Sequence, residues 1–211
     1  MALSCFGTRE TYQFLMLGPH NAGKTTLLYK LKLGDNWKKQ EIIRDMKSIK
    51  DKEDSGAGCH YEEFRGKGMT YGIWDLPGKK AARTLWPIFY RFLQIDAVLL
   101  CLDKMVLLDQ SAEALETCEE LKKLIAFMVH EPELRSAAFA ILLNEKDNVK
   151  ELEDLSDRDC REILGLHELQ LVSEDRIMIF TLNTADVNES SGVWPKILEF
   201  FKRQILAASK D

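Results

Sequence analysis

The 211-residue sequence predicts an α/β fold, with a mostly parallel six-stranded sheet flanked by five helices. Three observations carry that expectation. Apolar runs alternate with segments of helical period. Two of the runs, "AVLLCLD" (97–103) and "AFAILLNE" (138–145), are apolar almost throughout, as central parallel strands buried on both faces are. Hydrophobic residues make up 45% of the chain and charged residues 30%, the balance of a globular domain.

Taken in order, "TYQFLMLG" (11–18) reads as the first strand, and the following helix opens inside a glycine loop and stops near Gly34. Residues 35–57 mix six basic with six acidic residues and end in small ones, which reads as a solvated loop or short surface helix and, compatibly, as a switch segment or partner-docking insertion. "CHYEEF" and "MTYGIWD", separated by "RGKG", form a hairpin with a glycine-containing turn. The runs 97–103 and 138–145 are the fourth and fifth strands, and "RIMIFTL" (176–182) is the sixth. Helical period fills roughly 80–94, 110–130, 156–164 and 193–208, with Leu115, Leu121, Leu124, Ile125 and Met128 as the core stripe of the third helix. No second domain is indicated, so a single domain spans 1–211.

Bulk properties narrow the function. A net charge of −5 disfavours the broad basic face that nucleic-acid binding needs. The five cysteines are widely spaced with no C-x-x-C pair, which points to free thiols in a reducing compartment. No run is long and apolar enough for a membrane span. The start lacks the features of a signal peptide, Ala2 replaces the glycine that N-myristoylation needs, and the end carries no prenylatable cysteine. Cys5 is a free thiol on this reading, and a single palmitoyl chain there would anchor only marginally. The expectation is a cytoplasmic monomer, recruited to membranes by partners.

The chemistry concentrates in "LGPHNAGKTTLLYKLKLG" (17–34). Gly18, Gly23, Lys24 and Thr25 fit G-x-x-x-x-G-K-[ST], here in the required place between a strand and a helix. Glycine at 18 and 23 lets the backbone approach a phosphate closely, and the helix N-terminus adds positive potential. Lys24 is expected on the β- and γ-phosphates and Thr25 on Mg²⁺, with His20, Asn21, Ala22 and Thr26 completing the cradle.

"NAGKTTLLYKLKLG" also resembles the first loop and helix of ADP-ribosylation factor (ARF) and ARF-like small GTPases. "WDLPGKKAARTLWPIFY" (74–90) is similar to the family's W-D-V-G-G-Q-x-x-x-R-x-L-W, with Trp74, Asp75, Gly78, Arg83, Leu85 and Trp86 in register. "LLNEKD" (142–147) stands in the place of the guanine motif N-K-x-D, and "TLNTAD" (181–186) in that of the last base-contacting loop. The resemblance implies a P-loop small-GTPase fold that binds GTP or GDP with Mg²⁺. It implies Asp75 beside the metal, Gly78 at the γ-phosphate, and Asn144, Lys146, Asp147 and Thr184 around the base. It also implies a nucleotide-dependent switch, most simply in intracellular vesicle trafficking, read by effector and regulator proteins through two switch segments.

Four departures qualify it. Lys79 replaces the glutamine that orients the attacking water, and an ammonium has no acceptor for that task. The Mg²⁺-binding threonine of the first switch falls on Gly56; no threonine lies between Thr26 and Thr70, with Ser48 and Ser55 as alternative hydroxyls. Glu145 replaces the lysine that packs along the base and is expected to bring like charge toward a polyphosphate. His20 and Asn21 occupy small or acidic positions of the family's loop. Two readings follow: a switch with weak intrinsic GTP hydrolysis, or a non-cycling pseudo-GTPase scaffold.

Overall fold

A computed structural model describes residues 11–38, 58–146, 155–169 and 173–209. Its sheet has the order β2-β3-β1-β4-β5-β6. The strands are β1 (Tyr12–Leu17), β2 (His60–Gly66), β3 (Met69–Asp75), β4 (Ala97–Asp103), β5 (Ala138–Asn144) and β6 (Ile177–Leu182). Every neighbouring pair is parallel except the β2–β3 hairpin. The six expected strands are present, mostly parallel as expected. The hairpin turns on Lys67 (φ 51) and Gly68 (φ 71), two successive left-handed residues whose twist suits a tight two-residue loop.

The helices are more finely divided than the five expected. They are α1 (Lys24–Leu33), α2 (Lys80–Arg83), α3 (Trp86–Phe92), α4 (Lys104–Leu108), α5 (Ala112–His130), α6 (Asp157–Ile163) and α7 (Val193–Ala208). The helix expected over 80–94 is split because Pro87 stands in the first turn of α3, where its missing N–H cannot continue the preceding turn. The stripe on α5 also shifts. Leu121, Ile125 and Met128 are buried as expected, but Leu115 is 50% exposed, and Ala114, Cys118 and Val129 complete the buried face. Of the inserted segment, residues 34–38 form a 3₁₀ turn, and 39–57, with Ser48, Ser55 and Gly56, lie outside the described residues.

Side chains alternate across each central strand and so feed two cores. Phe14, Met16, Leu99 and Cys101 pack with Leu27 and Leu31 of α1 and with Trp194, Leu198 and Phe201 of α7. Leu15, Leu17, Val98 and Leu100 pack on the other face with Trp86, Leu121, Ile125 and Cys160. A sheet covered by helices on both faces forms its crevice at the carboxyl ends of the strands, where the chain leaves β1 and its neighbours run to opposite sides. Here that switch point falls at the end of β1, flanked by β3 and β4.

The opposite edge is fastened by one arginine. Arg176 Nε donates to the Ala137 carbonyl at 2.7 Å, Nη1 to Val129 O at 3.1 Å and Nη2 to Leu134 O. Its ring-stacking partner is Phe139, 5.1 Å away, and burial lowers its pKa to about 10, still charged at neutral pH. The planar fork reaches three separated carbonyls from three different nitrogens, a spread that the single nitrogen of an ammonium lacks. Arg176→Lys is therefore expected to lower the unfolding free energy by about 1–3 kcal/mol, read as a lower urea midpoint; an unchanged midpoint contradicts this role.

Candidate functional site

Gly18, the first residue after β1, has φ 141, and a Cβ there would come 2.0 Å from the Cys101 carbonyl oxygen of β4. Only glycine lets the loop cross the strand so closely. Asn21 (φ 63) and Gly23 (φ 98) make the further left-handed bends that deliver the chain into α1. Gly23 is the N-cap of α1, no side chain bonds that cap, and the first turn has no acidic residue. The helix thus begins with no side-chain cap and with no acidic residue of its own at its positive end.

Around this opening lies a cavity of about 370 Å³. His20, Asn21, Ala22, Gly23, Lys24, Thr25 and Thr26 form one side, and Asn144, Lys146 and Thr184 the other. Ten of the residues singled out in the sequence are thereby brought together. Asn183 and Ala185 also line it and were missed; their only signal was membership of the "TLNTAD" loop. Asp147 lies outside the described residues.

Lys24 is 5% exposed, and its ammonium curls back to donate to Gly18 O at 3.1 Å and Pro19 O at 3.0 Å. The loop therefore carries a desolvated cation at its centre. Thr25 Oγ1 donates to Asp75 Oδ2 at 2.8 Å, both residues being buried. A hydroxyl and a carboxylate side by side are hard oxygen donors, the set that suits Mg²⁺. Among the described residues no cluster of three or more His, Cys, Asp or Glu is built to hold a metal alone. Mg²⁺ takes one or two protein ligands and completes its shell from phosphate and water.

The turn after β3 presses on the loop from the side. A Cβ on Gly78 would meet Gly18 O at 2.3 Å and the Pro19 carbonyl carbon at 2.5 Å. Arg83 Nε donates to the Gly78 carbonyl at 3.1 Å and Trp86 Nε1 to that of Pro77 at 2.9 Å, so these two side chains hold the turn in place. Lys79 is the half-buried N-cap of α2, outside the cavity lining.

Asn144 joins the remaining pieces. It is 2% exposed; its Nδ2 donates to Ala22 O at 3.2 Å and its Oδ1 accepts from Thr184 N at 3.0 Å. A Cβ on Gly23 would lie 2.5 Å from that amide nitrogen and 2.8 Å from Thr184 Oγ1, so the three loops meet without slack. Glu145 departs from expectation. Its carboxylate is 2.5 Å from the Lys104 ammonium, and it does not line the cavity, so no acidic group faces a polyphosphate from position 145. Cys101 lies beneath the loop with its thiol pushed up to about 12 by burial, which leaves it inert as a nucleophile.

Comparison with known proteins converges on the same class. Residues 1–193 match the profile of the ADP-ribosylation factor family. ADP-ribosylation factor-like protein 1 of Caenorhabditis elegans is 30% identical over 142 residues, which is 67% of this chain. The match spans 65% of that relative's own length. Among solved structures, the Arl6 (BBS3) small GTPase of Trypanosoma brucei, determined with the nucleotide analogue GppNp, matches with a TM-score of 0.62. The match covers 95% of this chain and 98% of the other at 21% identity, a likeness of fold.

Asn144→Ala leaves the Ala22 carbonyl and the Thr184 amide without their buried partner, and is expected to cost about 1–3 kcal/mol of stability. Asn144→Asp keeps the acceptor for Thr184 but sets a carboxylate against the Ala22 carbonyl, so it should cost at least as much. Urea unfolding of the ligand-free protein measures both; a neutral Asn144→Asp would contradict the bridging role.

Proposed function

The chain belongs to the ADP-ribosylation factor family, and from that premise we propose that it is a GTP- and GDP-binding switch with weak intrinsic hydrolysis. The observation that carries the reading is the uncapped start of α1 over a buried Lys24, opening into a cavity walled by Asn144 and Thr184. Lys24 and the first amides of α1 would hold the phosphates. Thr25 and Asp75 would hold Mg²⁺, which supplies charge neutralisation on the phosphate oxygens when bound. Asn144 holds the phosphate loop against the Thr184 loop, so phosphate and base contacts share one rigid frame. Gly78 presses on the same loop, and through it occupancy of the phosphate end would reach α2 and α3.

Hydrolysis is the weak step. Lys79 offers three donors and no acceptor, so it cannot take a proton from a water while aligning it. Positioning and charge neutralisation remain, and an arginine from a partner could add to them. Leu85, Ile88 and Phe92 are 41%, 51% and 83% exposed along α3 and its approach, an apolar surface that supports reading by effector proteins. Vesicle trafficking from a cytoplasmic pool, as a monomer recruited to membranes by such partners, is the cellular role we infer. The second reading, a scaffold that does not cycle, is favoured by Lys79 itself.

Single-turnover hydrolysis with GTP and Mg²⁺ separates the two. The switch reading expects a measurable wild-type rate, on the order of 10⁻⁴ s⁻¹ or below, and a rise of roughly tenfold or more in Lys79→Gln. A wild type at the buffer blank with no gain in the variant supports the scaffold.

A further inference from the structure

Asp103 ends β4, Asn144 ends β5, and the two are partners in the parallel register. The residues that follow them therefore emerge side by side above the sheet edge. Lys104 is only 5% exposed, and its ammonium meets the Glu145 carboxylate at 2.5 Å. Lys146 pairs with Asp103 in the opposite sense. Asp103 is itself held by the Met105 amide, which donates to its Oδ1 at 3.1 Å. Two crossed ion pairs thus bridge the same two strand ends, and their four formal charges cancel.

Burying an ammonium is costly unless a counter-charge sits against it, and removing that counter-charge exposes the cost. Lys104 at this depth needs an acid, and Glu145 supplies one. Glu145, freed of Lys104, would stand one residue from Lys146 and compete for that ammonium, the cation that lines the base side of the cavity. Only Lys146 of the crossed pairs lines the cavity.

We propose that Lys104 and Glu145 are a matched pair that turns the acidic residue away from the nucleotide cavity, while Lys146, one position after the place of the lysine in N-K-x-D, supplies the cation beside the base. Lys104 is a positioning residue that never touches the ligand. The inference rests on the nucleotide-binding reading above and adds to it the residues that let the site tolerate an acid in the guanine motif.

The test is calorimetric titration of the whole chain, in Mg²⁺, with GDP and separately with pyrophosphate, which lacks the base. Lys104→Met is expected to weaken GDP about tenfold or more while leaving pyrophosphate within about threefold. The charge swap Lys104→Glu with Glu145→Lys is expected to restore GDP to within about threefold of wild type. Lys146→Met is expected to weaken GDP about tenfold with little change for pyrophosphate. Unchanged GDP affinity in Lys104→Met, equal loss of both ligands, or a folded swap no better than the single variant would each overturn the inference. If Lys104→Met does not fold, the swap alone decides: GDP within about threefold of wild type supports the pair, and a loss of about tenfold or more overturns it. A wild type that binds neither ligand sinks the nucleotide reading as well; one that binds GDP, with Lys104→Met binding equally, sinks only the matched pair.

Discussion

The side-chain amide of Asn144 is where the architecture turns into a site. Three loops leave the carboxyl ends of β1, β5 and β6, and each alone would be free to drift. One amide fastens the Ala22 carbonyl of the first and the Thr184 N–H of the last, from a base at the end of β5. Each bond contributes only about 1 kcal/mol net, but each group left unsatisfied at that depth costs more. The exposed pairs elsewhere, Lys80–Glu120, Lys122–Glu119 and Arg161–Asp157, lie on the solvated surface, where such pairs contribute about 0–1 kcal/mol. The buried network therefore sets the geometry of the edge, and the surface charges tune it.

Glycine supplies the complementary half of the constraint. Gly18 passes the Cys101 carbonyl at a distance no side chain allows, and Gly78 approaches the same loop from β3. The loop is thereby gripped from β3, β4 and β5 at once. The first turn of α1 has no side-chain cap and is the part left to bind an anion. Lys24, tied to two carbonyls of its own loop, rigidifies this turn and charges it together. Rigid placement of such dipoles is what makes phosphate binding and phosphoryl transfer depend on positioning.

Much of this was legible before any coordinates. The continuous apolar runs of β4 and β5 identify buried parallel strands, and the strand–glycine loop–helix context places Gly18, Gly23, Lys24 and Thr25 on one site. Other parts were hidden for physical reasons. Leu115 counts toward an apolar stripe in the sequence, yet it lies one residue, about 100°, beyond the buried face that Ala114 and Cys118 occupy. Pro87 carried the signal that splits α2 from α3, but helical period on both sides masked it. The Lys104–Glu145 pair depends on strand register across β4 and β5, which no local pattern encodes. Glu145, read alone, looked like a charge aimed at the ligand; only its neighbour across the sheet shows where it goes.

The most direct check on the whole account is the identity and amount of nucleotide released when natively purified protein is denatured and the supernatant is resolved by chromatography. An open, uncapped α1 start over a buried lysine, fastened to a base-side loop by Asn144, predicts GDP or GTP at close to one equivalent per chain, or uptake to that level after incubation with guanine nucleotide and Mg²⁺. A chain that carries none and takes up none, while remaining folded, would contradict it.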